Sequence, residues 1–262
     1  GRIAGYARGR DYHRVMKRRL HSLCDRWGAQ WPEATFRACV DTAPLLERAH
    51  AEAAGLGRVG KNTMLIEPGT GSWLLLGEIL TTLKIEPTPQ KHEEPCGTCT
   101  RCIEACPTEA LRPWELDANR CIAALTIEQR TPIDPAWHSR MDDWIFGCDE
   151  CQTVCPHNGD TSRTRQAPFH ESQSPRVDHL VLEDVLRWDA KQRQEALAGT
   201  SMTRANLSMW KRNACIAVAN LPANQCDASL MQAIDMLVED PAQPPMVREA
   251  AMAAKLAHQG EV

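Results

Sequence analysis

Residues 96–107 read Cys-Gly-Thr-Cys-Thr-Arg-Cys-Ile-Glu-Ala-Cys-Pro, and residues 148–156 read Cys-Asp-Glu-Cys-Gln-Thr-Val-Cys-Pro. The first stretch has the Cys-x2-Cys-x2-Cys-x3-Cys-Pro spacing of bacterial [4Fe–4S] proteins, in which the fourth cysteine ligates the other cluster of a pair. The second stretch is one cysteine short, because Ile145 occupies the position where a complete run would begin. Cys121 is the nearby cysteine that can complete the second set.

The swap of fourth ligands divides the eight thiolates into two sets of four. One cluster is predicted to take Cys96, Cys99, Cys102 and Cys155. The other is predicted to take Cys106, Cys121, Cys148 and Cys151. The alternative is a pair of structural zinc sites, since zinc also binds Cys-x2-Cys pairs. Zinc has no use for a third cysteine at the same spacing, so the pattern favours two [4Fe–4S] clusters and electron transfer.

The composition is that of an ordinary globular protein, with 43% hydrophobic and 24% charged residues in a chain of 262. The apolar run at 214–219 is too short to cross a membrane, and the first residues show no signal-peptide pattern. The chain begins at Gly1 without Met, so we expect that an upstream segment is missing.

The use of the cysteines indicates whether the protein works in a reducing or an oxidising compartment. Because eight of the twelve cysteines are assigned to clusters, we predict a reducing environment and a cytoplasmic protein. The other four are scattered and are predicted to be buried free thiols: Cys24, Cys39, Cys215 and Cys226.

The charge distribution is uneven. A net charge of −4 argues against coating of nucleic acid but allows a local basic patch. Residues 1–21 carry seven Lys and Arg residues against one acid, Asp11, and a second basic group consists of Arg204, Lys211 and Arg212. From charge alone, contact with nucleic acid and a solvated helix face are equally good interpretations.

Hydrophobic periodicity predicts a helix over 10–30 and a short strand over 36–40. Pro44 is predicted to open a helix over 43–54 that ends at Gly55. The apolar stretch 72–83 fits a buried strand or a buried helix, and periodicity does not decide between them.

The prolines of 86–95 indicate a linker, and the polar stretch 157–176 indicates a loop. Beyond this loop the pattern is helical, over 182–197, 203–221, 227–239 and 245–258. Successive amphipathic helices of this length suggest a small HEAT-like repeat.

Residues 55–61 match two phosphate-binding patterns and satisfy neither. The Gly-x-Gly-x-x-Gly pattern follows an Ala-rich helix instead of a strand, and Asn62 stands where a phosphate loop needs Ser or Thr. What remains is a glycine-rich turn that is either structural or open to a bulky group.

Asp41, between a predicted strand and helix, has two interpretations as well: a hydrogen-bonding residue at the helix start or a general acid.

The chain resembles the epoxyqueuosine reductases, cobalamin-dependent enzymes of tRNA modification. The resemblance rests on the cluster run and on residues 5–13 (Gly-Tyr-Ala-Arg-Gly-Arg-Asp-Tyr-His), 40–44, 54–63, 76–80, 120–128, 147–156 and 212–221. These stretches follow the family's order over nearly the whole chain. Two positions depart from the family pattern: Ala124 replaces a tyrosine, and His157 replaces a tryptophan found in some members.

The resemblance implies an α+β protein of three parts. These are a cobalamin-binding domain related to reductive dehalogenases (1–90), a ferredoxin-like module with two [4Fe–4S] clusters (91–160), and an all-α HEAT-like repeat that holds tRNA (161–262). It also implies the reaction, in which the epoxide of epoxyqueuosine at the wobble position of tRNA is reduced to the alkene of queuosine with loss of water. Partners would be the modified tRNA and an external low-potential electron donor, with no membrane, and we expect a monomer.

The resemblance also assigns site residues. Asp41 matches the proton donor, and the cobalamin contacts are expected at Asp41, Asn62, Thr63, Leu65, Glu67, Cys148 and Asp149. The cobalamin would be bound with its base displaced. We expect the tRNA phosphates to meet Arg204, Lys211 and Arg212. Two alternatives from other classes are a ferredoxin-type electron-transfer subunit without its own catalytic site and a tRNA-binding module whose clusters are structural.

Overall fold

The computed structural model of the chain describes residues 1–87, 93–159 and 179–259. Half of the predicted linker (86–95) and most of the predicted loop (157–176) lie outside the described residues. The strands are short: β1 (Arg2–Ile3), β2 (Phe36–Cys39), β3 (Arg58–Val59), β4 (Leu65–Ile66), β5 (Glu78–Thr81), β6 (Leu111–Arg112), β7 (Glu115–Leu116) and β8 (Trp144–Phe146).

The helices of the first two thirds of the chain are α1 (Tyr12–Gln30), α2 (Glu47–Ala53), α3 (Arg101–Glu104), α4 (Ile122–Ile127), α5 (Pro135–His138) and α6 (Glu150–Thr153). The later helices are α7 (Leu182–Arg187), α8 (Ala190–Leu197), α9 (Leu207–Ala219), α10 (Ala228–Glu239) and α11 (Pro245–Gln259). None of these described helices combines the length and the apolar character that a membrane crossing needs.

The strands form two-stranded pairs. β2 and β5 are antiparallel, with Phe36 opposite Thr81 and Cys39 opposite Glu78, so the apolar stretch 72–83 contains a strand. β3 and β4 form the antiparallel arms of the glycine-rich turn, and β6 pairs with β7. β1 is parallel to β8, which joins the start of the chain to the segment that precedes the second cysteine run.

Two predicted helix boundaries are wrong. The helix expected over 43–54 begins only at Glu47, and Pro44 lies in a loop. The residue before a proline disfavours helical backbone, and the Thr42 N–H turns back to the Val40 carbonyl at 2.5 Å. The helix expected over 182–197 is divided between α7 and α8, because Asp189 forms a capping box with Gln192 and starts a new helix.

The hydrophobic core runs through all three predicted domains. Ile3 near the start of the chain, Phe146 of β8 and Trp210 of α9 belong to the same buried cluster. The Phe146 and Trp210 rings are stacked with centroids 5.3 Å apart. Helix α9 packs against α7 and α11 within this core, and α10 packs on α11. The HEAT-like assignment and the domain boundaries at 90 and 160 stay predictions.

All twelve cysteines are free thiols. Of the four that were predicted to be buried, Cys39 and Cys215 are buried, whereas Cys24 and Cys226 are partly exposed. The Cys226 Sγ lies 3.3 Å from the His258 Nε2, which gives this thiol a polar partner near the surface.

Candidate active site and cysteine loops

The first predicted set of cysteines converges on one cavity. This cavity has an empty volume of about 340 Å³, and its lining includes Cys96, Cys99, Cys102 and Cys155. Gly97 has a φ of +48°, a left-handed conformation that lets the loop reverse between its first two cysteines. The distant Cys155 thus lies with the first run, as the exchange of fourth ligands requires.

The second predicted set is also gathered in space. Burial and, to a smaller extent, the nearby thiols of Cys121, Cys102 and Cys106 together raise the pKa of the Cys151 thiol to about 12. Burial likewise raises the pKa of Cys148, with added contributions from Cys151 and Cys121. So many buried thiols in one place are costly to ionise without a cation, which bound iron would supply.

The arrangement of the thiols does not suit a single metal ion. In the described part of the chain, no three or more His, Cys, Asp or Glu side chains are grouped to hold one ion. Zinc draws four ligand atoms to one centre, whereas each cysteine of a [4Fe–4S] cluster binds a different iron at a corner of a larger cube.

The glycine-rich turn is packed against the protein itself. A Cβ at Gly57 would lie 2.3 Å from the Ile66 carbonyl oxygen, and a Cβ at Gly60 would lie 2.5 Å from the Ile66 Cδ1. Gly60 also faces the Cys96 Sγ, at 3.3 Å from such a Cβ. The structural interpretation of the glycines is therefore sufficient, since β4 and the first cysteine loop account for the close approach.

Asp41 is not at a helix start. The residue that precedes α2 is Leu46, and no main-chain N–H near the helix start donates to the Asp41 carboxylate. Instead its Oδ2 lies 3.0 Å from the His13 Nε2, while its own N–H donates to the Glu47 carboxylate at 2.5 Å. With a φ of +50° and a side chain 55% exposed, Asp41 occupies a strained position open to a ligand.

His13 and Asp11 were not predicted as site residues. The His13 Nδ1 lies 2.7 Å from the Asp11 Oδ1, so the imidazole bridges the carboxylates of Asp11 and Asp41. Asp11 also caps α1 by accepting from the His13 N–H, which fixes the ring's position. The Tyr12 ring stacks on the imidazole at 4.0 Å. The only sequence signal for this group was its place within the family-like stretch 5–13.

Two arginines, Arg48 and Arg204, make further contacts in this part of the structure. The guanidinium of Arg48 in α2 donates to the carbonyl and hydroxyl oxygens of Thr63, itself at a φ of +65°. Arg204 donates to both oxygens of Glu128, at 2.8 and 2.7 Å, and the charges of Glu128 and, more weakly, Asp41 raise its pKa. Arg204 thus contributes positive charge near Asp41.

The predicted cobalamin contacts divide into two groups. Asp41 is exposed, and Thr63, Glu67 and Cys148 are partly accessible. Asn62, Leu65 and Asp149 are buried. The Asn62 side chain donates to the Cys151 carbonyl, and the Asp149 carboxylate accepts from the Gly5 N–H at 2.7 Å. These three side chains are therefore largely shielded from a ligand on this surface.

The prediction that Lys211 and Arg212 contact RNA is wrong. Their exposed fractions are 7% and 1%, because α9 is enclosed by its neighbours. Arg212 donates to the carbonyl oxygens of Gln129, Thr131 and Leu125 and to Asn213, which leaves it no donor for a phosphate. Only Arg204 of the three predicted residues is exposed.

Two protein-family models match the chain. One, described as a 4Fe-4S double cluster binding domain, matches residues 95–158. The other, described as Epoxyqueuosine reductase QueG, DUF1730, matches residues 1–42. A curated epoxyqueuosine reductase of Synechocystis is 41% identical over 220 residues, which are 82% of this chain and 74% of that protein. The chain belongs to the epoxyqueuosine reductase family.

Other members of the epoxyqueuosine reductase family match at similar levels. The protein of Xanthomonas campestris is 41% identical over 224 residues, covering 85% of this chain and 62% of that protein. A crystal structure of epoxyqueuosine reductase with an epoxyqueuosine-modified tRNA-Tyr stem loop has a TM-score of 0.88 at 30% identity, covering 98% of this chain and 66% of that chain. The chain spans about three fifths of the length of several curated relatives.

The comparisons confirm the predicted family, its iron–sulfur character and the mixed α+β architecture. The match to a double-cluster domain covers every cysteine of the two predicted sets.

Proposed function

We propose that the protein reduces epoxyqueuosine to queuosine at the wobble position of tRNA. The observation that carries the proposal is the position of Asp41, an exposed carboxyl group on the His13 imidazole, in a family member with eight gathered cluster cysteines. The crystal structure of a relative with an epoxyqueuosine-modified tRNA stem loop supports the same substrate.

The reaction needs two electrons and two protons for each epoxide. Two carbon–oxygen bonds break, a carbon–carbon double bond forms, and the oxygen leaves as water. Electrons would come singly from an external low-potential donor through the clusters. We assign the ligands as predicted: one cluster to Cys96, Cys99, Cys102 and Cys155, the other to Cys106, Cys121, Cys148 and Cys151.

Asp41 would deliver a proton to the epoxide oxygen. The contact between the His13 Nε2 and the Asp41 Oδ2 contains a single proton, held by either atom, once the His13 Nδ1–H donates to Asp11. The pair can therefore store one proton next to the substrate. After Asp41 gives it up, the second proton would come from solvent: the imidazole Nε2 can take it up and pass it to Asp41, and the Asp11 carboxylate stabilises the ring while it is charged.

We infer that cobalamin binds over the surface formed by Asp41 and Thr63. The residues fit in part: both positions are strained and accessible, and the exposed Leu46 and Leu56 flank α2 with apolar surface. When bound with its base displaced, cobalamin would supply a strongly reducing, nucleophilic cobalt. The accessible part of the predicted set, Asp41, Thr63, Glu67 and Cys148, would hold it with main-chain atoms at positions 62, 65 and 149.

The tRNA would lie across the helix that carries His13. Arg10, Arg14 and Arg18 recur every four residues along α1 and the turn before it, and all three are exposed. Four helical residues rise about 6 Å, so these side chains form one ridge. Lys17 of the same helix donates to the Thr42 hydroxyl, next to Asp41. With Arg204, this ridge gives positive charge on both sides of the proposed catalytic carboxyl group.

The test is Asp41→Asn in protein prepared anaerobically with cobalamin, reductant and epoxyqueuosine-containing tRNA. Asn keeps the size but cannot give a proton, so turnover should fall by about 10²–10⁴-fold, with iron and cobalamin contents unchanged. Asp25→Asn, at an exposed position of α1, is the matched control and should keep full activity. Near-normal turnover by Asp41→Asn would remove Asp41 from the mechanism. Absence of corrin binding and of turnover in the unchanged protein would favour the electron-transfer alternative.

The proposal also includes the location of the protein, its oligomeric state and the role of the last helices. A cytoplasmic location is supported by twelve free thiols. A monomer and the HEAT-like role of the last helices in holding tRNA are part of the proposal.

A further inference from the structure

Lys61 ends the glycine-rich turn and points its ammonium group into the first cysteine loop. Its Nζ donates to the carbonyl oxygens of Gly97 and Cys99, at 2.6 and 3.0 Å. The Trp114 ring covers it from the other side, with the Nζ 5.6 Å from the ring centroid. The residue is only 8% exposed, so this is a buried positive charge.

The main chain of Lys61 also contacts a proposed cluster ligand. Its N–H donates to the Cys96 Sγ at 3.2 Å. The charge of Lys61 acts on Glu94, whose exposed carboxylate accepts from the N–H groups of Cys96 and Gly97. The ammonium group itself is bonded to carbonyl oxygens, which leaves its full charge facing the loop that carries three thiolates.

We propose that Lys61 raises the reduction potential of the cluster bound by Cys96, Cys99, Cys102 and Cys155. The proposal rests on the ligand assignment given above. When this cluster accepts one electron, its net negative charge grows by one, and no proton or other bond change is required. A buried cation stabilises the more negative state, and a hydrogen bond to a ligand sulfur acts in the same direction.

The expected size follows from the charge. At the effective dielectric constant of buried sites, the unit charge of Lys61 changes the equilibrium constant for adding one electron to the neighbouring cluster by about tenfold. That factor corresponds to about 59 mV for one electron.

The test is a redox titration followed by electron paramagnetic resonance, without tRNA or cobalamin. Lys61→Gln removes the charge and keeps hydrogen-bond donors for the Gly97 and Cys99 carbonyl groups. One cluster signal should titrate about 59 mV lower, a tenfold change, and the other should move by less than twofold. Lys61→Arg keeps the charge and should restore the original potential. Lys191→Gln, an exposed lysine of α8, changes the net charge equally and should shift neither signal.

Iron and sulfide contents are measured first for every variant. A Lys61→Gln protein with full iron and a shift below twofold would overturn the proposal. Loss of one cluster from Lys61→Gln but not from Lys61→Arg would also overturn it, because Lys61 would then be a support for the loop. These outcomes are independent of epoxide reduction, since neither substrate nor corrin is present in the titration.

Discussion

Replacing Arg212 by Met should destabilise the protein at the base of the second cysteine set. Arg212 donates to the carbonyl oxygens of Gln129, Thr131 and Leu125, at 2.7, 2.5 and 2.9 Å, where the chain leaves α4. The adjacent Asn213 donates to the carbonyls of Thr126 and Ile145, both at 2.9 Å. The pair thus ties the helix that follows Cys121 to the strand that precedes Cys148.

The magnitude follows from three buried acceptors. Each charge-assisted bond to a carbonyl contributes about 1.5–3 kcal/mol, and the three together contribute about 5–9 kcal/mol. Burial lowers the pKa of Arg212 from 12.5 to about 10, which corresponds to a cost of about 3 kcal/mol for keeping the charge inside. Met removes both contributions, so we expect a net loss of about 2–6 kcal/mol.

The assay is thermal unfolding of the cluster-loaded protein under anaerobic conditions, at one fixed scan rate. A loss of about 2–6 kcal/mol should lower the apparent Tm by about 4–24 °C in a domain of 150–250 residues. The matched control is Arg187→Met in α7, because Arg187 is 37% exposed and donates to Glu183 and Ser229 at the surface. That change should cost less than about 1 kcal/mol. Equal losses of stability from the two substitutions would refute the proposed role of Arg212 in tying α4 to β8.

Cys121→Ser should lower the iron content from about eight to about four per chain, because the cluster of Cys96 keeps all its ligands; loss of neither cluster would mean that another group supplies the fourth ligand. Reversing the charges of Arg14 and Arg18 should reduce the slope of log Kd against log salt for a tRNA stem loop by about one to two. Lys211→Gln should leave that slope unchanged, because Lys211 is buried, and a changed slope would contradict its placement.

The cluster region could be predicted because its geometry is local. Ligand spacing within 96–107 and 148–156 reflects how a short loop wraps a cluster, and the exchange of fourth ligands supplied the long-range pairing of Cys155 with the first run. Helix α1 and strand β2 were predictable for a similar reason, since hydrophobic periodicity is a property of neighbouring residues.

The contacts around Asp41 were not predictable in this way. His13 lies 28 residues before Asp41, and no local pattern indicates that the loop after β2 meets the first turn of α1. The local signal at Pro44 was misleading, because a proline suits both a helix start and a loop. Only the family-like stretches placed both residues in one functional group.

The burial of Arg212 shows a second reason why side-chain exposure could not be predicted from the sequence. A basic residue beside an apolar run, 214–219, looks like the exposed face of an amphipathic helix. Here α9 is surrounded by α7, α11 and β8, so its polar side chains are buried too and bind main-chain carbonyls. Whether a charge faces water or a carbonyl depends on partners far away in sequence, which periodicity does not contain.

The failed phosphate-loop pattern has its explanation in three consecutive residues. Lys61 binds the first cysteine loop, Asn62 donates to the Cys151 carbonyl of the second, and Thr63 accepts from Arg48 beside Asp41. Asn62 also accepts from the Met64 N–H at 3.1 Å, and the shorter side chain of Ser or Thr could not span both contacts. One turn therefore contacts both cysteine loops and helix α2, and the two contacts of Asn62 account for its presence where a phosphate loop needs Ser or Thr.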